Sequence, residues 1–293
     1  MPLTVQEYQV GQLYSVAMTS MNETGGGEGV EVLRNEAFEN YPLLGGRFSR
    51  GQYTYKIYHI KSKLPAFIRL LAPTGSTDIH EEAWNAYPYC RTVISNPGYM
   101  KDNFQISIET MHLPDNGTTD NAHGLSAEKK ALREVVLIDI ASELPGHDYK
   151  KEEDPTKVKS EKTDRGPLTG SWIQSSSPVM TCYKLVTCEF KWMGLQTRVE
   201  SFIHKAEARI FTRFHRQVFC WIDRWHGMDL DEIRALEEQI RDDLNKQRKK
   251  GSLRGTSDLG PDVRLGAIPT PGLFILSRLR STVFGGVLVE SGC

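Results

Sequence analysis

In the run Cys182 to Trp192, alternation places Lys184 on the side of Val186, Cys188, Phe190 and Trp192, the more apolar of two strand faces. A buried ammonium without a partner is costly. It snorkels to water, pairs with a carboxylate, or meets an anionic ligand, and the sequence leaves all three open. Thr110 repeats the anomaly beside Phe104, Ile106 and Ile108, and Gln12 beside Val10, Tyr14 and Val16. Thr54 and Lys56, two apart, share a face opposite Tyr53, Tyr55 and Ile57, where an ordinary solvent side explains them as well as a site does. Hydrogen-bonding groups set into an apolar concave face have one obvious chemistry. They hold an amphiphile, with walls for its chains and donors for its head.

Other chemistries are poorly supported. Thr24-Gly25-Gly26-Gly27-Glu28-Gly29 lacks the Lys-Ser/Thr pair of a phosphate-binding loop. Cys90 is a candidate nucleophile with no local signature for its base, and a structural thiol is the simpler reading. His80, His204 and His215 are too dispersed for a metal site. Lys205, Arg209, Arg213 and Arg216 follow one side of a helix, a solvated face or a contact for lipid headgroups.

The elements that must position these groups are strands followed by helices. Strands are expected at residues 10–16, 30–33, 53–60, 104–112, 135–140 and 183–192, with a hairpin-like turn at Asp115-Asn116-Gly117, so an antiparallel sheet is expected. Ile203, Ala206, Ile210, Phe214, Val218, Trp221 and Trp225 form one stripe of a long helix that stops near Gly227. Asp229 and Glu232 are spaced as a capping box for a second helix, with its stripe at Leu230, Ile233, Leu236, Ile240 and Leu244. A large sheet followed by long helices is an α+β fold. One domain to residue 250 and a Gly/Ser/Pro/Arg-rich flexible tail over 251–293 is the simplest division.

The 293 residues, 39% hydrophobic with a net charge of -1, exclude disorder and give no general attraction to nucleic acid. Five scattered cysteines do not make a disulfide framework. The opening MPLTVQEYQV has neither the basic region nor the apolar run of a secretion signal, and no segment approaches the ~20 apolar residues of a membrane span.

Several long blocks carry a resemblance. NETGGGEGVEVL from Asn22, GQYTYKIYHIKSKLP from Gly51, HEEAWNAYPYCRTVI from His80, EEDPTKVKSEKTDRGPL from Glu152, CYKLVTCEFKWMGLQTRVE from Cys182 and FHRQVFCWIDRW from Phe214 resemble the class I phosphatidylinositol transfer proteins. The likeness covers residues 2 to about 250. It implies a START-like helix-grip fold, a concave sheet and long helices around one phospholipid, and exchange of phosphatidylinositol and phosphatidylcholine between membranes without covalent chemistry or a cofactor. It places Thr54, Lys56, Asn85 and Glu237 at the inositol headgroup, and Gln12, Glu81, Thr92, Thr110, Lys184 and Cys90 at the phosphate and cavity wall.

The resemblance also implies a monomer in the cytoplasm, transiently at Golgi and endoplasmic reticulum membranes, with phosphoinositide kinases as further partners. A lipid-presenting adaptor for such kinases is the alternative function, and a Cys90 hydrolase a remoter one. Three departures stand out. The family's membrane-docking tryptophan pair reads Trp192-Met193, its threonine-glycine-arginine-glycine turn reads Thr163-Asp164-Arg165-Gly166, and the match begins about ten residues into the family pattern, after its first strand.

Overall fold

Thr4 begins a helix where alternation predicts a strand. Its hydroxyl accepts from the Glu7 N–H at 3.0 Å and the Glu7 carboxylate accepts from the Thr4 N–H at 2.8 Å, a closed capping box. Helix α1 then runs Val5–Glu23 and buries Tyr8, Gly11 and Ser15, spaced by three and four. The alternation of Val10, Gln12, Tyr14 and Val16 is a coincidence of the two periods, and Thr4 decides between them. A Cβ on Gly11 would lie 2.8 Å from two ring carbons of Trp225. Gly11→Val is therefore expected to destabilise by about 1–3 kcal/mol, read as a lower urea midpoint. An unchanged midpoint would mean that the indole has room to move.

The computed structural model describes residues 1–64, 73, 77–192, 194, 196–250, 252, 254 and 287–290. The strands are β1 Gly29–Phe38, β2 Gly51–His59, β3 Asp78–Ala86, β4 Tyr89–Ser95, β5 Phe104–Leu113, β6 Val135–Leu137, β7 Thr181–Phe190 and β8 Val287–Glu290. They form one sheet in the order β1-β2-β3-β4-β5-β7-β8-β6. Neighbours from β1 to β7 are antiparallel, and β8 lies parallel to β7 and antiparallel to β6. Apart from β8, Ser252 and Arg254, the segment expected as a tail lies outside the described residues. The Asp115 carboxylate accepts from the Gly117 N–H at 2.9 Å, but this turn makes no hairpin, because β5 pairs with β7.

The short helices α2 Ala127–Leu132 and α3 Trp172–Ser175 precede α4 Gln196–Cys220, α5 Ile222–Trp225 and α6 Leu230–Arg248. The expected capping box starts α6, with both bonds at 2.8 Å. In α4 the covered stripe is the expected one broadened, with one member turned outward. Ile203, Phe214 and Val218 pack against the core as expected, but Ile210 is 45% exposed, and Val199, Glu207 and His215 are buried as well. The charged side of α4 is not simply solvated either. Arg209 Nε donates to Asp148 at 2.6 Å, and Arg216, 2% exposed, donates to the carbonyls of Ile140, Ser142 and Glu153 and to the Asp154 carboxylate.

The departure in the Thr163-Asp164-Arg165-Gly166 turn has a backbone meaning. Asp164 occupies φ 58°, the left-handed region where glycine is at ease and aspartate is tolerated. Among the described residues no helix is long and apolar enough to cross a membrane.

Candidate functional site

Strand register settles which face each polar residue occupies, because cross-strand partners point the same way. Gln52 pairs with Asn85, Asn85 with Cys90, Cys90 with Thr110, and Thr110 with Lys184, a polar row across five strands. The next row runs Asn35, Thr54, Ala83, Thr92, Ile108 and Val186, and the third runs Val32, Lys56, Glu81, Ile94, Ile106 and Cys188. Eight of the ten headgroup and cavity residues named from the sequence thus share one face. It is the face on which α1 and α4 pack, since Ile106, Val186 and Cys188 share a core cluster with Tyr8, Val218 and Trp225. The solvent-side explanation of Thr54 and Lys56 fails here. The opposite face carries Tyr53 on Glu82 and Tyr55 on His80.

The helices grip the sheet at its two sides. α1 and α6 rest on β1, α4 rests on β7, and α1 joins α4 to α6. Between these contacts Thr54, Ala83, Asn85, Cys90, Thr92 and Ile94 keep accessible surface. The Cys90 thiol is nevertheless desolvated enough to be pushed up to about 12. A group cut off from bulk water that still has open surface borders an internal hollow.

Within this face, Lys56 Nζ donates to Glu81 at 3.1 Å and the Tyr58 hydroxyl donates to the other Glu81 oxygen at 2.8 Å. Burial and the Glu81 charge raise Tyr58 well above the usual phenol range. Cys90 Sγ donates to Asn85 Oδ1 at 3.2 Å. Lys184, lowered by burial, donates to Thr110 Oγ1 at 3.2 Å, and its Nζ lies 4.9 Å from the Phe211 ring centroid. Of the three outlets open to this lysine, snorkelling is excluded.

Gln12 comes from α1, one turn beyond Tyr8, whose hydroxyl bonds His215 Nε2 at 2.8 Å. Glu237 reaches the sheet from α6, accepting from Asn35 Nδ2 at 3.3 Å and pairing with Arg234 at 2.5 Å. Asn35 lies opposite Thr54 and accepts from Gln52 at 2.8 Å, so Glu237 joins the Thr54 and Asn85 rows, while Lys56 turns to Glu81.

Asn35 and Gln52 were not anticipated. Gln52 was findable, two residues before Thr54 in the same strand. Asn35 was not, because a bulge between Val32 and Arg34 reverses the parity of β1. Trp192 stacks on Phe190 at 6.2 Å and meets Tyr99 edge-on at 6.0 Å, and Met193 lies outside the described residues.

An antiparallel sheet held by long helices over a polar-studded hollow defines the START-like helix-grip class of ligand-binding proteins. The chain belongs to the phosphatidylinositol transfer protein family, which matches residues 1–242. It is 55% identical over 264 residues to the phosphatidylinositol transfer protein beta isoforms of Rattus norvegicus and Homo sapiens, covering 88% of this chain and 95% of each relative. It is 50% identical over 250 residues to phosphatidylinositol transfer protein 1 of Dictyostelium discoideum, covering 84% of this chain and 92% of that relative.

Proposed function

We propose that this chain encloses one phosphatidylinositol or phosphatidylcholine and exchanges it between membranes. The observation that carries this is the polar row Gln52–Asn85–Cys90–Thr110–Lys184 on the face the helices pack against, with Cys90 cut off from bulk water yet retaining accessible surface. Water is a poor medium for two acyl chains. At about 0.8 kcal/mol per methylene, about thirty methylenes hold a lipid in its bilayer by ~20–25 kcal/mol. A protein hollow removes that barrier by replacing water around the chains.

Thr54, Asn85 and Glu237 bond inositol hydroxyls, Lys56 adds donors, and Lys184, Thr110, Thr92 and Gln12 surround the phosphate. Glu81 orients Lys56, and Cys90 lines the wall. No bond breaks, so the chain is a carrier and not an enzyme, with no cofactor or metal. A Cys90 hydrolase is disfavoured because a thiol near 12 supplies almost no thiolate. The kinase-presenting adaptor is not favoured, since the relatives are named for transfer.

Residues 1–250 form the carrier, and beyond them β8 pairs with β6 and β7. The carrier works as a monomer from the cytoplasm, visiting membranes of the Golgi and endoplasmic reticulum. Mass spectrometry of lipid co-purified with native protein, paired with vesicle-to-vesicle transfer, tests the reading. Absence of both bound phospholipid and transfer would end it.

Trp192, whose ring rests on Phe190 and Tyr99, dips into the interface as amphipathic aromatic rings favour. Trp192→Ala is expected to slow transfer of both lipids about threefold to tenfold, the loss of about 0.7–1.4 kcal/mol of docking. An unchanged rate removes it from the membrane contact.

A further inference from the structure

Among the described residues the Glu207 side chain has no hydrogen-bond partner. It lies on α4, 8% exposed, and both carboxyl oxygens are buried. The charged and titratable groups that act across on it are Lys184 and Cys188 of β7. Around Lys184 stand Cys90 of β4, His112 of β5, His215 of α4, and Cys182 of β7, with Tyr8 of α1 behind. Burial takes His112 down to about 3 and His215 lower than its usual range, so both imidazoles are neutral. It also keeps the thiols protonated. Lys184 is then the opposing charge for Glu207 among these groups. A buried cation and a buried acid that share a region without bonding each other make a poor structural pair but a suitable ligand site.

The inference rests on the carrier reading above. A phosphodiester bonded to Lys184 cancels its charge, so the remaining charge depends on the lipid head and on Glu207. With an uncharged polyol head the site is neutral only if Glu207 holds its proton. With a quaternary ammonium head it is neutral only if Glu207 has released it. We propose that Glu207 is the charge discriminator of the carrier, protonated over phosphatidylinositol and ionised as counter-ion to the ammonium of phosphatidylcholine. Exchange of the second lipid for the first therefore binds one proton at Glu207. Burial lifts this carboxyl to about 8, which sets the exchange near physiological pH.

The full chain is loaded from vesicles holding equal amounts of the two lipids, between about pH 6.5 and about pH 9, and the bound lipids are quantified. Neither lipid head titrates in this range. The ratio of phosphatidylcholine to phosphatidylinositol is expected to rise about tenfold or more between about pH 7 and about pH 9. In Glu207→Gln it stays low and flat. A flat ratio in the native chain overturns the proposal, as does a Glu207→Gln variant that keeps the rise. Should that variant not fold, the native profile alone decides. A chain that loads neither lipid at any pH defeats the carrier reading instead.

Discussion

Alanine in place of Lys56 is expected to cut phosphatidylinositol transfer about tenfold to hundredfold and to leave phosphatidylcholine transfer within about twofold. Each hydrogen bond from a charged donor contributes about 1.5–3 kcal/mol, and about 1.4 kcal/mol is a factor of ten. Choline has no hydroxyl and never used the contact. Lys56 is well placed for this selectivity, with a side chain only 14% exposed and its partner Glu81 15% exposed. The substitution does not leave Glu81 bare, because the Tyr58 hydroxyl still donates to it at 2.8 Å. Thr54→Val, which removes only a hydroxyl, is expected to show the same selectivity at about a tenth of the native phosphatidylinositol rate. Vesicle assays with each lipid in turn check both. An equal fall for the two lipids would mean that these residues support the sheet and not the headgroup.

The largest stability effect is expected at Arg216. Its guanidinium bonds Ile140 O at 2.7 Å, Ser142 O at 2.9 Å, Glu153 O at 3.1 Å and Asp154 Oδ1 at 3.3 Å, so it ties α4 to the segment that runs beneath it. Arg216→Met fits the space and abandons all four acceptors, at a cost of about 3–5 kcal/mol for a broken buried pair. Arg216→Lys keeps the charge but lacks the fork and recovers only part of the loss. Urea unfolding by circular dichroism measures both. A loss under about 0.5 kcal/mol would place Arg216 on the solvated face its helical spacing suggested.

Those two sites mark what the sequence made legible. Alternation in β7 and β5 put Lys184 and Thr110 on the apolar face, and the structure keeps them there. The period could not place Thr54 and Lys56, since a strand has two faces and periodicity does not say which one the helices cover. The resemblance chose the side, and the register of β2 against β3 supplies the physical reason. Gln12 was found on a correct anomaly and a wrong element, because Val10, Tyr14 and Val16 satisfy a period of two while Tyr8, Gly11 and Ser15 satisfy 3.6. The helical stripe held at Ile203, Phe214, Val218, Trp221 and Trp225 and failed only at Ile210. A stripe drawn through Ile210 overlooks that a carboxyl, Glu207, occupies a covered position, which apolar counting does not detect.

Leu33 is half exposed and gives no side chain to the site. Yet it is the extra residue by which β1 steps from Val32, opposite Lys56, to Asn35, opposite Thr54. One amino acid more or fewer at this point would turn Asn35 outward and deprive Glu237 of its sheet partner, with every ligand-facing residue type unchanged. Headgroup choice in this architecture is therefore governed by strand length as well as by side-chain identity. A one-codon gain or loss in β1 can retune it where a survey of pocket composition would register no difference.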